Sequence, residues 1–426
     1  MCNELLENID RVPDLDPELK KRYIGEAKVL RAYNYYELYT KFGDVPYTTK
    51  VLSIKESMSI ARTAKATVIA NVLADLDEVI NGNYLPTSYD ADNKGRITRW
   101  AAMAIKAKIY LFEGNWTQVK NITSTIMTEG GFKLFGSYAG LFEIANEYNS
   151  EVILDAQYRP TSREHQMMYV FLPPTLGGYS QLSPLQELVD SYIMLDGKTI
   201  KETGTSFDES HPYANRDPRL KATVMYTGNS YTLADGTEVV INCEKGEGKD
   251  GYGVGSDCSA TGYYIKKYWD NAYRATLYSG LNPILIRYAD ILLMNAEALA
   301  ELGELDKTAW DATIKPIRDR AGFTLASAVE FPEGASKDKL IEIVRNERRS
   351  ELALEGHRHK DIIRWRIADD VLNGWCHGLK TNEVVGTDNG YVRVENRAFN
   401  ANKHYLWPIP QAERDLNGNL VQNPNW

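Results

Sequence analysis

The feature that most limits the fold is a repeated one: a helical stretch rich in alanine, a turn at glycine, and a second helical stretch. "ITRWAAMAIKAKIYLF" (Ile97 to Phe112) turns through Glu113-Gly114-Asn115 into a helical run from Trp116 to Thr128. "IRYADILLMNAEALAEL" (Ile286 to Leu302) turns at Gly303 into a run reaching Arg320, closed by Ala321-Gly322. Each pair takes about 33 to 36 residues, the period of a helix-turn-helix solenoid. Closely spaced alanines let neighbouring helices approach, and glycine accepts the left-handed conformation that ends the first helix. Leu19–Phe42 with Ala61–Ile80 reads as another pair, and Lys337–Glu355, turning at Gly356 and continuing to about Leu372, as a fourth. The fold class is mainly α, a superhelical stack of helix pairs.

"LRAYNYYELYTKFGDVPY" (Leu30 to Tyr47) shows how such helices are glued. Ala32, Tyr35, Tyr39 and Phe42 form one helical stripe; Val29, Tyr33 and Tyr36 form a second. A helix with two apolar sides lies between neighbours. These tyrosines read as core with internally bonded hydroxyls, and Trp100, Trp116 and Trp365 as helix-packing residues. Gly43 and Pro46 stop the helix.

Between Asn149 and Pro283 the helical pattern fades into Gly, Asn, Ser and Tyr, with strand-like runs at Val239–Ile241 and Tyr263–Tyr268. An irregular insert of that length usually carries function. The tail from Gly378 is also loop-rich. One unit over residues 1–426 follows, with first helix pairs at 19–148, a ligand-bearing insert at 149–283, later pairs at 284–372 and a loop-rich tail at 373–426.

A net charge of −9 argues against nucleic acid as a partner. No apolar run is long enough to cross a membrane. Four cysteines are too few and scattered for a disulfide scaffold, although Cys243 and Cys258 flank a Gly-rich loop and are a candidate pair. The 27 Tyr and 8 Trp suit either a wet binding surface or a core that must also hydrogen-bond.

Glu347, Glu351 and Glu355 share a helix face, at the spacing that brings two carboxylates together for glycoside hydrolysis. Arg345, Arg348 and Arg349 surround them and favour structural ion pairs instead. "HRHKD" (His357 to Asp361) lacks a third metal ligand, and "DADNKG" (Asp90 to Gly95) fails as a calcium loop because Lys94 takes the fifth position. "GKDGYGVG" (Gly248 to Gly255) is no P-loop. The expectation is a non-catalytic protein without cofactor or metal.

Sugar binding needs a flat ring against the C–H face of a pyranose, with amides and charges for the hydroxyls. Tyr179 in "LGGYSQ" follows two glycines that free the backbone. "YWDNAYRATLY" (Tyr268 to Tyr278) offers Trp269, Asn271, Tyr273, Arg274 and Tyr278, and "HPYANRDP" offers Tyr213. The competing reading is that these rings pack the insert onto the helices; it is favoured for Tyr268. A solenoid adaptor holding peptide in a helical groove is the alternative function.

Seven stretches in order resemble the signatures of the SusD/RagB family: "AKVLRAYNYYELYTKFGDVPY", "GRITRWAAMAIKAKIYLFEGNW", "RDPRLKATV", "PILIRYADILLMNAEALAELGE", "IRDRAGF", "ERRSELALEGHRHKDIIRW" and "LWPIPQAERDLNGNLVQNPNW". The resemblance implies four tetratricopeptide-like helix pairs supporting an irregular, ligand-bearing loop region. It implies a cell-surface lipoprotein of the outer membrane that binds oligosaccharide or polysaccharide, starch among them and in some members peptide. The implied partner is a SusC-like TonB-dependent transporter. In the family, "CNELLENI" lies well inside the protein. A signal peptide, a lipid-bearing cysteine and the first helices are therefore expected ahead of it, with membrane attachment through that lipid anchor, and Cys2 is not the lipidated cysteine.

Overall fold

The computed structural model describes every residue except Ala234, Arg274 and Ala275, and the backbone alone of Thr232 and Tyr273. The chain divides into two compact units, each assembled from separated segments.

The first unit comprises Met1–Gly131, His359–Leu372 and Phe399–Trp426. Helices Pro17–Phe42, Lys65–Asn81, Arg99–Phe112 and Trp116–Glu129 pack each against the next. Asp16 caps the first by accepting from the Leu19 N–H, with Pro17 at its first position. Ala101, Ala102, Ala104 and Ala107 are buried, so the third helix approaches its neighbours closely. The tyrosine stripe of the opening helix is glue: Tyr36 and Tyr39 meet Phe112 edge-on at 6.3 Å. Tyr35 bonds the Thr48 backbone as expected, but the Tyr39 hydroxyl is buried without a hydrogen-bond partner. Burial and the like charge around it keep that phenol protonated.

The second unit comprises Phe132–Arg358 and Asn373–Ala398. Its bed is the helices Tyr288–Leu302, Lys307–Ala321 and Lys337–Glu351. Gly303 and Gly322, both left-handed, end the first two where the sequence places the turns. Two boundaries move. Ile286 and Arg287 belong to a short strand, Ile284–Arg287, paired antiparallel with Val152–Asp155. The helix expected to reach Glu355 stops at Glu351, and Leu354 takes a left-handed turn (φ 64°). That turn brings Glu355 onto Arg287 and Lys267, at 2.6 and 2.7 Å. A buried charge cluster outweighs the roughly 1 kcal/mol that such a backbone costs a non-glycine residue.

The cluster is extensive. Glu351 receives Arg287 at 2.6 Å and Arg219 at 2.9 Å, and also Arg320. Arg219 lies 2.7 Å from Glu347, and Arg348 lies 2.6 Å from Asp290. Burial alone pushes the Glu351 carboxyl up, but Arg320, Arg287 and Arg219 hold it well below the usual carboxylate range. Lys267, wholly enclosed, is pulled down to about 8 by burial against the lift from Glu355.

The segment read as a loop-rich tail contains a three-stranded antiparallel sheet. Tyr391–Arg397 lies between Gly374–Lys380 and Thr387–Asp388, with Trp375 opposite Asn396 and Asp388 opposite Tyr391. Gly378 interrupts the side-chain alternation because a β-carbon there would sit 2.5 Å from the Thr261 carbonyl oxygen. Cys243 and Cys258 are free thiols; the Cys258 Sγ donates to the Lys249 carbonyl at 3.0 Å.

Candidate functional site

Two segments of the second unit meet to present aromatic rings outward. Met168, Leu172, Leu176 and Leu277 are buried in one apolar cluster and pin both segments down. Gly177 turns the chain in the left-handed region (φ 84°). Gly178 is dictated by space: a β-carbon there would lie 2.1 Å from the Leu172 carbonyl oxygen. With the turn so closed, the Tyr179 N–H donates to the Tyr169 carbonyl at 2.9 Å. The two rings then lie side by side, centroids 4.3 Å apart and tilted by 41°.

The second segment is stitched alongside by reciprocal backbone bonds between His165 and Ser279, each 2.9 Å. Tyr278 therefore stands next to the short helix Met167–Phe171 that carries Tyr169. The Tyr169 hydroxyl is raised above its ordinary pKa by its bond with Tyr179, then by burial, then by the nearby Tyr179, Tyr278 and Asp257. Tyr179 and Tyr278 are 38% and 45% exposed, and Leu182 beside them is open. This is a half-apolar, phenol-edged face, suited to stacking on a sugar ring while bonding its hydroxyls.

The other candidates are distributed differently. Tyr213 stacks on Tyr226 (3.9 Å, 17°) and lines a separate cavity of about 570 Å³ with Tyr263 and Tyr391. Trp269 is half-buried, edge-on to Tyr231 at 5.7 Å, and packs against the apolar cluster. Asn271 is exposed on the turn Asn271–Tyr273. Arg274 and the Tyr273 side chain lie outside the described residues. Tyr268 is core, edge-on to Phe142 at 4.9 Å. Sequence reading passed over Tyr169, because "MMYVF" reads as an apolar packing run; only the bond from Tyr179 brings its ring to the face.

A family profile described as the SusD family matches residues 141–426, two thirds of the chain. The chain belongs to the SusD family. A second profile, described as starch-binding associating with outer membrane, matches residues 1–111. Among solved structures, a SusD-like carbohydrate binding protein from Bacteroides fragilis is 31% identical with a TM-score of 0.87, covering 99% of this chain and 83% of that one. A SusD-like protein of Formosa agariphila is 28% identical over 99% of this chain and 76% of its own length. A laminarin binding SusD-like protein, 24% identical with a TM-score of 0.68 over 100% of this chain and 83% of its own, shares the fold. The helix-pair architecture of this SusD-like chain is thus that of its relatives.

Proposed function

We propose that this protein captures oligosaccharide or polysaccharide at the outer face of the outer membrane and delivers it to a SusC-like TonB-dependent transporter, without catalysis of its own. Lipid attachment holds it there; no described helix is long and apolar enough to cross a membrane. The observation that carries the reading is the outward face of Tyr169, Tyr179 and Tyr278. Rings that pack a loop onto a core do not need an open side, whereas rings that grip a pyranose do. Relatives named for carbohydrate, laminarin and surface-glycan binding support the choice of ligand class. The non-catalytic part rests on the carboxylates. Glu347, Glu351 and Glu355 are each held ionised by arginine or lysine, so none serves as a general acid.

Affinity electrophoresis of the protein through gels containing starch, laminarin or other polysaccharides tests this reading. Retardation by at least one neutral polymer is expected, and its marked weakening in a Tyr179→Ala/Tyr278→Ala variant that still folds. Migration unaffected by every polymer removes the proposal; release of reducing ends from any of them removes its non-catalytic part.

A further inference from the structure

The cavity beside Tyr213 shares no lining residue with the Tyr169–Tyr179–Tyr278 face. Its volume of about 570 Å³ is in the range of small-ligand sites and holds one or two sugar units. Its polar wall is ordered by a directional chain of hydrogen bonds. The Gln186 amide turns its NH2 toward an oxygen of Asp190, at 2.7 Å. The amide oxygen that remains receives the Tyr263 hydroxyl at 2.6 Å. Having spent its proton, the Tyr263 oxygen can only accept from the Tyr213 hydroxyl 3.2 Å away. The Tyr213 oxygen is thereby left with lone pairs alone for whatever enters.

Nearby, Lys380 and Glu209 form an ion pair at 2.6 Å, placing a donor and an acceptor together on the same wall. With Glu244 also lining the cavity, the acids outnumber Lys380 by two to one, and the imidazole of His211 is already engaged by Asp208 at 2.8 Å. A wall that offers acceptors in excess repels a bare anion. It suits a ligand that brings several hydroxyl donors and accepts from one ammonium, with Tyr391 and Leu379 as apolar surface.

We propose that this cavity is a second carbohydrate site, taking one or two neutral sugar units whose hydroxyl donates to the Tyr213 oxygen and whose ring hydroxyls engage Lys380 and Glu209. It rests on the glycan reading of this protein and adds a pocket-type site to an open one. A polymer that engages both is held more tightly than either site holds a short sugar.

The test uses the whole chain and three proteins: wild type, Tyr179→Ala/Tyr278→Ala, and Tyr213→Phe/Lys380→Ala. Saturation-transfer NMR screens neutral di- and trisaccharides (maltose and laminaribiose series) against digalacturonate, and calorimetry quantifies the best binder. Expected is short-sugar binding that survives in the Tyr179/Tyr278 variant and falls about tenfold or more in the Tyr213/Lys380 variant, with digalacturonate silent. Single Tyr213→Phe, which keeps the ring, is expected to weaken binding about fivefold with an unchanged melting curve. Absence of every short neutral sugar, binding unaffected in the Tyr213/Lys380 variant, or equal binding of digalacturonate would each overturn the second site. Retardation of the wild type by polymer, markedly weakened in the Tyr179/Tyr278 variant, would survive any of these results, so the two readings fail separately.

Discussion

Tyr138 and Tyr179 belong to the same unit and have opposite surroundings. Tyr138 is enclosed: Lys267 donates to its hydroxyl at 2.9 Å, and Arg320 lies over its ring. Tyr179 rests one face on Tyr169 and leaves the other to solvent. Tyr138 sits in a turn laid against the bed of helices, among charges that are buried and paired. Around Tyr179 the backbone is a glycine turn held by a few leucines of a separate apolar cluster. The comparison teaches that rigidity and recognition are assigned to different segments, with the same residue type serving both. Four interventions bear on it.

The largest effect belongs to the bed. Glu351→Ala removes the carboxylate shared by Arg219, Arg287 and Arg320, leaving three almost wholly enclosed cations with one counter-charge fewer between them. Breaking a buried ion group from one side costs about 3–5 kcal/mol. For a unit of this size the midpoint falls by on the order of 10 °C. A variant melting within about 1 °C of wild type would mean that the cluster is not what holds the bed. Glycan retention by the fraction still folded should be unchanged.

Trp269 probes the boundary between the two regions. Its edge contact with Tyr231 and its place on the apolar cluster argue for packing, so Trp269→Ala is expected to cost about 2 kcal/mol of stability. Affinity for polymer measured on the folded protein should change less than twofold, about 0.4 kcal/mol. Unaltered unfolding with lost retention would move Trp269 to the recognition side.

These assignments also show what the sequence could say. Helix pairs were legible because their signals are local: alanine spacing, Gly43 and Pro46 at a helix end, and Gly303 and Gly322 at the turns. That Glu347, Glu351 and Glu355 are ion-paired was legible, but their partners were not: Arg345 pairs with Glu301 and Arg348 with Asp290, while Arg219, Arg287, Arg318, Arg320 and Lys267 reach the glutamates from other segments. The recognition face was half legible. Tyr179 announces itself through the glycines before it, yet Tyr169 joins only through a backbone bond between segments, and Tyr278 through the His165–Ser279 bridge. Such contacts leave no periodic trace. The sheet Gly374–Lys380 with Tyr391–Arg397 was illegible for a related reason: Gly378 breaks the alternation that marks a strand.

A smaller effect separates the rings themselves. Tyr179→Ala and Tyr278→Ala each remove one open ring, worth about 1 kcal/mol of sugar contact, or about fivefold in affinity. Thermal midpoints should hold within about 1–2 °C, since neither ring fills the core. Tyr179→Ala also frees Tyr169 of its partner and lowers that hydroxyl's raised pKa, a shift readable by ultraviolet titration. If Tyr138→Phe, which spares the ring inside the bed, reduced retention as much as Tyr179→Ala, the division between the two regions would collapse.

The smallest effect lies where the sheet is fastened to the short helix Gln186–Ser191. His377 bonds Glu187 through Nδ1 at 2.8 Å and Asp388 through Nε2 at 3.0 Å, so both nitrogens carry protons when the carboxylates are ionised. Burial pushes the imidazole down, but the bonds to Asp388 and Glu187 outweigh it and raise the pKa above 6.5. Arg393 shares Asp388, and Arg349 lies near Glu187; both temper the pull of the carboxylates without replacing it. Because the folded pKa exceeds the unfolded one, the stabilisation is fully present below the unfolded value and is lost as pH rises through the folded value. His377→Gln should therefore cost about half a kcal/mol at pH 5.5 and close to nothing at pH 8, measured by urea unfolding at both. An equal cost at the two pH values would show that His377 is held by shape and not by charge. In that case the sheet would owe its attachment to packing, as the tyrosine loops do, and not to paired charges, as the bed does.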